Sequence, residues 1–160
     1  MQEFRFRPRY GGIALLAIAV SAVLFATVWL AKLTGTSRTI GLLGTAMGVI
    51  LASVYLLSPA WRLLVRVDDD GLEVGNAKTQ RFRLAWAEIV RVVASPDTKT
   101  CFVDGGDPGR SLMVPGPGAS APYDIENKTA LYDAILSHSP ATVVETVDLL
   151  ENADVEQAES

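Results

Sequence analysis

Lys78, Arg81 and Arg83 form the most concentrated group of side chains able to do chemistry in this chain, in the stretch "KTQRFR". Two guanidinium groups at two-residue spacing project to the same side of a β-strand and can reach one phosphate cluster together. The competing reading is a solvated strand face near anionic headgroups. Other reactive residue types are sparse. Asp68, Asp69 and Asp70 are consecutive, so their carboxylates point in different directions and no ligand-spaced partner follows; they read as a turn closed by Gly71. "DGGDPG" lacks calcium-loop spacing and reads as a hairpin turn. Cys101 and His138 are single representatives of their kinds. One cysteine excludes an internal disulfide, and one cysteine with one histidine cannot build a zinc cluster within the chain. Cys101 lies in a short apolar strand and is expected to be an inert thiol. His138, at a helix end, has no Ser, Cys or carboxylate at a catalytic spacing. These observations lead to the expectation of no catalytic residues, no metal and no cofactor, and of a protein that is not an enzyme.

The elements around these residues fall into two classes. Residues 11–31 and 39–60 are uncharged apolar runs separated only by "KLTGTSR". At 1.5 Å per residue, about 20 helical residues span roughly 30 Å, the thickness of a hydrocarbon core. The expectation is a transmembrane helical hairpin over 11–60, preceded by a basic flank at 1–10. The first run is too long for a signal peptide's apolar region, and a second run follows directly. Neither run carries a mid-span charge, which argues against a transporter or channel. Gly44, Gly48 and Ala52 recur every four residues, a spacing that lets a second backbone approach. The nearest candidate for that backbone is the first helix, through Ala17, Ser21 and Ala22; a partner helix or a second copy is the alternative.

Charge is divided unevenly. Residues 1–66 hold seven basic residues against Glu3, a net +6; residues 67–160 hold seven basic and seventeen acidic, a net −10. So acidic a second part makes nucleic acid an unlikely partner class. Arg5, Arg7 and Arg9 before the first run, with Arg62 and Arg66 after the second, outnumber Lys32 and Arg38 in the turn. The expected location is the cytoplasmic (inner) membrane, multi-pass, with both termini cytoplasmic.

Beyond Trp61 the pattern turns to period two. "WRLLVRV", "LEV", "TQRFRL", "AEIVRVVAS", "TCFV", "RSLMV" and "YDI" read as strands, and "ENKTALYDAILSH" reads as a helix with Asn127 as N-cap. Asp70-Gly71-Leu72, then Leu84, Trp86, Glu88 and Ile89, then Arg91-Val92 and Val114-Pro115, resemble the bacterial pleckstrin-homology-like domain over about residues 61–140. The resemblance implies an α+β domain over 61–139: an antiparallel, partly open barrel of six or seven strands capped by a C-terminal helix, built for binding or assembly. In eukaryotic members of that wider class, a Lys followed by Arg-x-Arg on early strands holds phosphoinositides, which gives Lys78, Arg81 and Arg83 a headgroup-sensing alternative. Trp86 and Ile89 are expected in the core, and Glu88 is expected to be a locally hydrogen-bonded acid.

The last segment, 140–160, carries six acids and no Lys or Arg. Ser139 as N-cap and Pro140 at the first helical position predict a short amphipathic helix with Val143, Val144, Val147 and Leu150 on one face. That face either packs on its own domain or enters a partner's groove. The expected function is thus a membrane-anchored, non-enzymatic scaffold whose partners are the bilayer and another protein or a second copy. Lipid sensing is the rival.

Overall fold

The computed structural model describes residues 1–32, 34–117, 119 and 121–148. The chain divides into two units: Pro8–Pro59 forms one, and Met1–Arg7 joins Ala60 onward in the other.

The first unit is a helical hairpin, α1 (Gly11–Leu30) and α2 (Gly35–Leu56). Both helices are long and apolar enough to cross a membrane: their most apolar 18-residue stretches have mean hydropathy 2.6 and 2.1. α2 starts and ends about four residues earlier than the expected 39–60. Thr36, Ser37 and Arg38 continue it backward because an exposed helical start tolerates polar residues. Ser58-Pro59 stops it, since a residue before proline is disfavoured in helical geometry. At the open end of the hairpin, the Tyr10 N–H donates to the Tyr55 hydroxyl at 2.9 Å.

Among the described residues, the second unit has nine strands in two sheets, and these sheets do not close into a barrel. The strands are β1 (Gln2–Pro8), β2 (Leu64–Val67), β3 (Gly71–Gly75), β4 (Gln80–Ala85), β5 (Arg91–Ser95), β6 (Thr100–Asp104), β7 (Ser111–Val114), β8 (Tyr123–Ile125) and β9 (Val144–Thr146). One sheet has the order β4-β3-β2-β1-β8, the other β7-β6-β5-β9. A third helix, α3 (Lys128–His138), follows β8.

Two of these strands lie outside the sequence expectation. Residues 2–8, read as a basic flank, form β1. Phe4 and Phe6 alternate with Arg5 and Arg7, and both rings are buried. β1 pairs antiparallel with β2, Glu3 opposite Arg66 and Phe4 opposite Val65. The hairpin is therefore an insertion between two adjacent strands of one sheet. The second addition is β9, which pairs parallel to β5 with Val92 opposite Val144. The expected start at Trp61 also shifts: Pro59–Arg62 is a 3-10 turn, and the strand begins at Leu64. Trp86–Glu88 is likewise a 3-10 turn, so the next strand begins at Arg91.

The core fills the space between the sheets. Val65, Leu72, Leu84, Val103, Leu131 and Ile135 are each fully buried. Trp86 and Ile89 belong to this core, as their sequence context predicts. The Trp86 indole donates to the Asp68 carbonyl at 3.0 Å and stacks on His138, ring centroids 5.1 Å apart, which fastens the β2–β3 turn to the end of α3. Asn127 does precede α3, but in left-handed geometry (φ 53) and without a side-chain cap. Cys101 is buried, and burial pushes its thiol up to about 12, the inert state expected of it.

Candidate functional site

The outward face of the five-stranded sheet is a charge ladder. Strand register places Glu3, Arg66, Glu73 and Arg83 in one row across β1, β2, β3 and β4. Arg66 bridges the row, 2.9 Å from Glu3 and 3.2 Å from Glu73. The hydrogen bond it donates to Glu3 holds its guanidinium above the ordinary value. Arg83 lies 3.3 Å from Asp68 and 3.9 Å from Asp70. Opposite charges facing across antiparallel strands favour this register.

That ladder separates the three basic residues singled out in the sequence. Arg83 is neutralised by the β2–β3 turn. The same turn confirms the structural reading of the three aspartates: Asp68 accepts from the N–H groups of Asp70 and Gly71 at 3.1 and 2.9 Å. A Cβ on Gly71 would strike the Leu84 backbone, so the close approach requires glycine. Arg81 and Lys78 are exposed and make no ion pair among the described residues. Lys78 sits in the β3–β4 turn, which the Asn76 side chain closes by accepting from the N–H groups of Lys78 and Thr79.

Glu88 is a positioning acid. It accepts from the Ala85 N–H at 3.3 Å and pairs with Arg110 at 2.7 Å. The Ala85 bond first, then Arg110, hold its carboxyl below the usual value. Asp124 in β8 holds three elements together. Burial pushes its carboxyl up, but Lys128, Arg7 and the Ile125 N–H outweigh that and bring it below its ordinary value. Among the described residues, no three His, Cys, Asp or Glu gather to hold a metal ion.

The tail corrects the expected helix. Ala141–Val143 is a 3-10 turn and Val144–Thr146 is strand β9. β-branched Val143, Val144, Thr146 and Val147 favour extended backbone over helix. Val143 and Val144 are half-buried against the domain's own core. Arg91 reaches Glu145 at 2.6 Å, the Ser95 hydroxyl donates to the Asp148 carbonyl at 2.8 Å, and the Val147 N–H donates to the Ala94 carbonyl. The described part of the tail thus packs on its own domain. Leu150 lies outside the described residues.

The seam of the hairpin also departs from the Gly44, Gly48, Ala52 row. On α1 the buried residues are Ala14, Ser21 and Val28, seven apart. A Cβ on Gly48 would strike the Ser21 hydroxyl, and one on Gly41 would come within 2.6 Å of Val28. Ala52 is buried, whereas Gly44 is exposed with open space around it. The seam therefore keeps Gly48 and Ala52 of that row and takes Gly41, seven residues before Gly48, in place of Gly44. Gly48 meeting Ser21 is the packing within the chain that the sequence favoured.

Comparison with family models, with curated proteins and with solved structures finds no match for this chain.

Proposed function

We propose that this protein is a non-enzymatic scaffold anchored in the cytoplasmic membrane by its helical hairpin, with a pleckstrin-homology-like β-domain on the cytoplasmic side that holds a protein partner or a second copy there. One observation carries the membrane part: β1 and β2, on either side of the hairpin in the chain, are adjacent strands of one sheet. Helices inserted between paired strands leave a bilayer on the side they entered. The excess of basic residues at that side supports the cytoplasm as its identity. The succession of antiparallel strands followed by α3, with Trp86 in the core, supports the pleckstrin-homology-like reading. With the described tail engaged by β5, the contact surface for a partner falls to the charged outer sheet face and the strand edges.

Cysteine accessibility tests the topology. Cys101 is fully buried, so introduced cysteines report with little background. In sealed inverted membrane vesicles, an impermeant maleimide is expected to label Gln2→Cys and Asp97→Cys and to spare Thr36→Cys. Labelling Gln2→Cys and Asp97→Cys on opposite sides would overturn the reading. A second reading, anionic headgroup sensing, is favoured by Lys78 and Arg81, which make no ion pair among the described residues. It requires a salt-sensitive preference of the full chain for anionic vesicles, abolished in Lys78→Ala/Arg81→Ala.

A further inference from the structure

Among the described residues, β4 and β7 are both edge strands, and no ladder joins them. The turn Pro108–Arg110 bridges the gap, with Arg110 donating to the Arg83 carbonyl at 3.1 Å as well as to Glu88. At this gap a cavity of about 290 Å³ enters the β-domain. Phe6, Leu63, Val74, Phe82 and Leu112 supply apolar wall from both sheets, and Arg81 is the charged side chain that lines it. Two other polar side chains in the lining are already committed: the Tyr123 hydroxyl donates to the Met113 carbonyl at 2.9 Å, and the Ser111 hydroxyl to the Pro108 carbonyl at 3.1 Å. Arg81 is left as the side-chain donor for an occupant.

This combination defines a ligand chemistry. Apolar walls penalise a ligand whose body is polar or multiply charged, because its groups would lose water without gaining partners. A guanidinium at such a wall, without an ion pair among the described residues, favours one anionic group, carboxylate or phosphate, held by charge-assisted hydrogen bonds. The volume sits at the low end of small-molecule pockets, which begin at about 300 Å³, and so suits one chain rather than two. We infer that the β4–β7 cavity binds a single-chain amphiphile, its acyl chain packed among Phe6, Phe82 and Leu112 and its carboxylate or phosphate head on Arg81. The inference concerns the β-domain alone and does not require that the helices span a membrane.

The test is photolabelling of the full chain held in amphipol. The probes are a palmitate with a diazirine on its chain, the methyl ester of that probe, and a lysophosphatidate with the same chain. Labelled residues are mapped by digestion and mass spectrometry. The palmitate probe is expected to label residues 60–63 or 108–113. The ester, or the acid on Arg81→Gln, is expected to label those residues about tenfold less, the scale of losing a charge-assisted hydrogen bond. Arg81 is exposed, so that variant tests the site without disturbing the core. Leu112→Trp, which fills the cavity, should remove labelling. Lysophosphatidate labelling at the same residues identifies a phospholipid source; labelling by palmitate alone identifies a free fatty acid. Equal labelling by acid and ester, full labelling of Arg81→Gln, or label confined to residues 11–56 would each overturn the proposal.

Discussion

The helical hairpin and the β-domain solve opposite packing problems. In the β-domain, apolar side chains point inward to a shared core, and the outer face of the five-stranded sheet is a row of alternating charges. In the hairpin the arrangement is inverted. Ile13, Leu16, Phe25, Ile40, Met47 and Leu51 face outward, while the seam between the helices is made mostly of small residues, Ala14, Ser21, Gly41, Gly48 and Ala52, together with Val28. A sheet in water gains by burying Val and Leu. Helices in a bilayer, as proposed for this hairpin, would gain little by burying them, and close backbone approach would take over. One chain thus follows two packing rules, changing at Arg7–Pro8 and back again at Pro59–Ala60.

The contrast can be broken most severely at β1, which belongs to the β-domain but precedes the hairpin. A fragment starting at Trp61 lacks the strand that lies between β2 and β8 and is expected not to fold, as read by near-UV circular dichroism. A chain with residues 9–59 replaced by a short Gly-Ser loop keeps β1 beside β2 and is expected to fold and stay soluble. On the scale of single residues, Phe4→Ala should destabilise the β-domain by about 3–5 kcal/mol in denaturant titration, the usual cost of deleting a buried ring.

The hairpin seam gives the next effect. Gly48→Leu places a side chain against Ser21, and overpacking of this kind costs about 1–3 kcal/mol. Gly44→Leu faces open space and should leave hairpin stability in detergent unchanged. If the two variants behave alike, the seven-residue seam is wrong.

Smaller effects belong to the surface of the β-domain. Arg91→Ala removes the exposed pair with Glu145 and should lower stability by less than about 1 kcal/mol. Its clearer sign is faster hydrogen exchange at the Val147 N–H, which holds β9 to Ala94. Asp124 predicts a weak acid sensitivity. Its folded carboxyl lies below the ordinary 3.8, so its contribution is present above that value and is lost as pH falls through the lower, folded one. Stability of Asp124→Asn should depend less on pH below about 4 than the parent's does, in thermal melts across that range.

Legibility in the sequence followed the strength of the local signal. Two uncharged runs of helical length announced the hairpin, and β2 to β8 were visible as alternating segments between turn residues. β1 carries the same alternation, Phe4-Arg5-Phe6-Arg7, as Arg81-Phe82-Arg83-Leu84 in β4. The three arginines beside an apolar run mask it, because they also fit a membrane flank. β9 was hidden for a related reason: valines at 143, 144 and 147 fit a helical face, yet their β-branching argues for strand. The core place of Trp86 and the local hydrogen bond of Glu88 are legible because they depend on neighbouring residues. The pairing of Arg83 with Asp68 required knowing that β4 returns beside the β2–β3 turn, and the β4–β7 cavity required knowing which edges stay unpaired. Neither relation is local in sequence.

The central claim is that the hairpin interrupts one sheet between neighbouring strands. Glu3→Cys/Arg66→Cys tests it most directly, in native membranes and with full-length protein. These two positions face each other on the outer side of β1 and β2, within reach of a disulfide. The account predicts near-complete cross-linking on mild oxidation, detected as a mobility shift reversed by reductant, and none for Glu3→Cys/Asp97→Cys. Absence of the Glu3–Arg66 cross-link, with both cysteines reactive to maleimide, would contradict it.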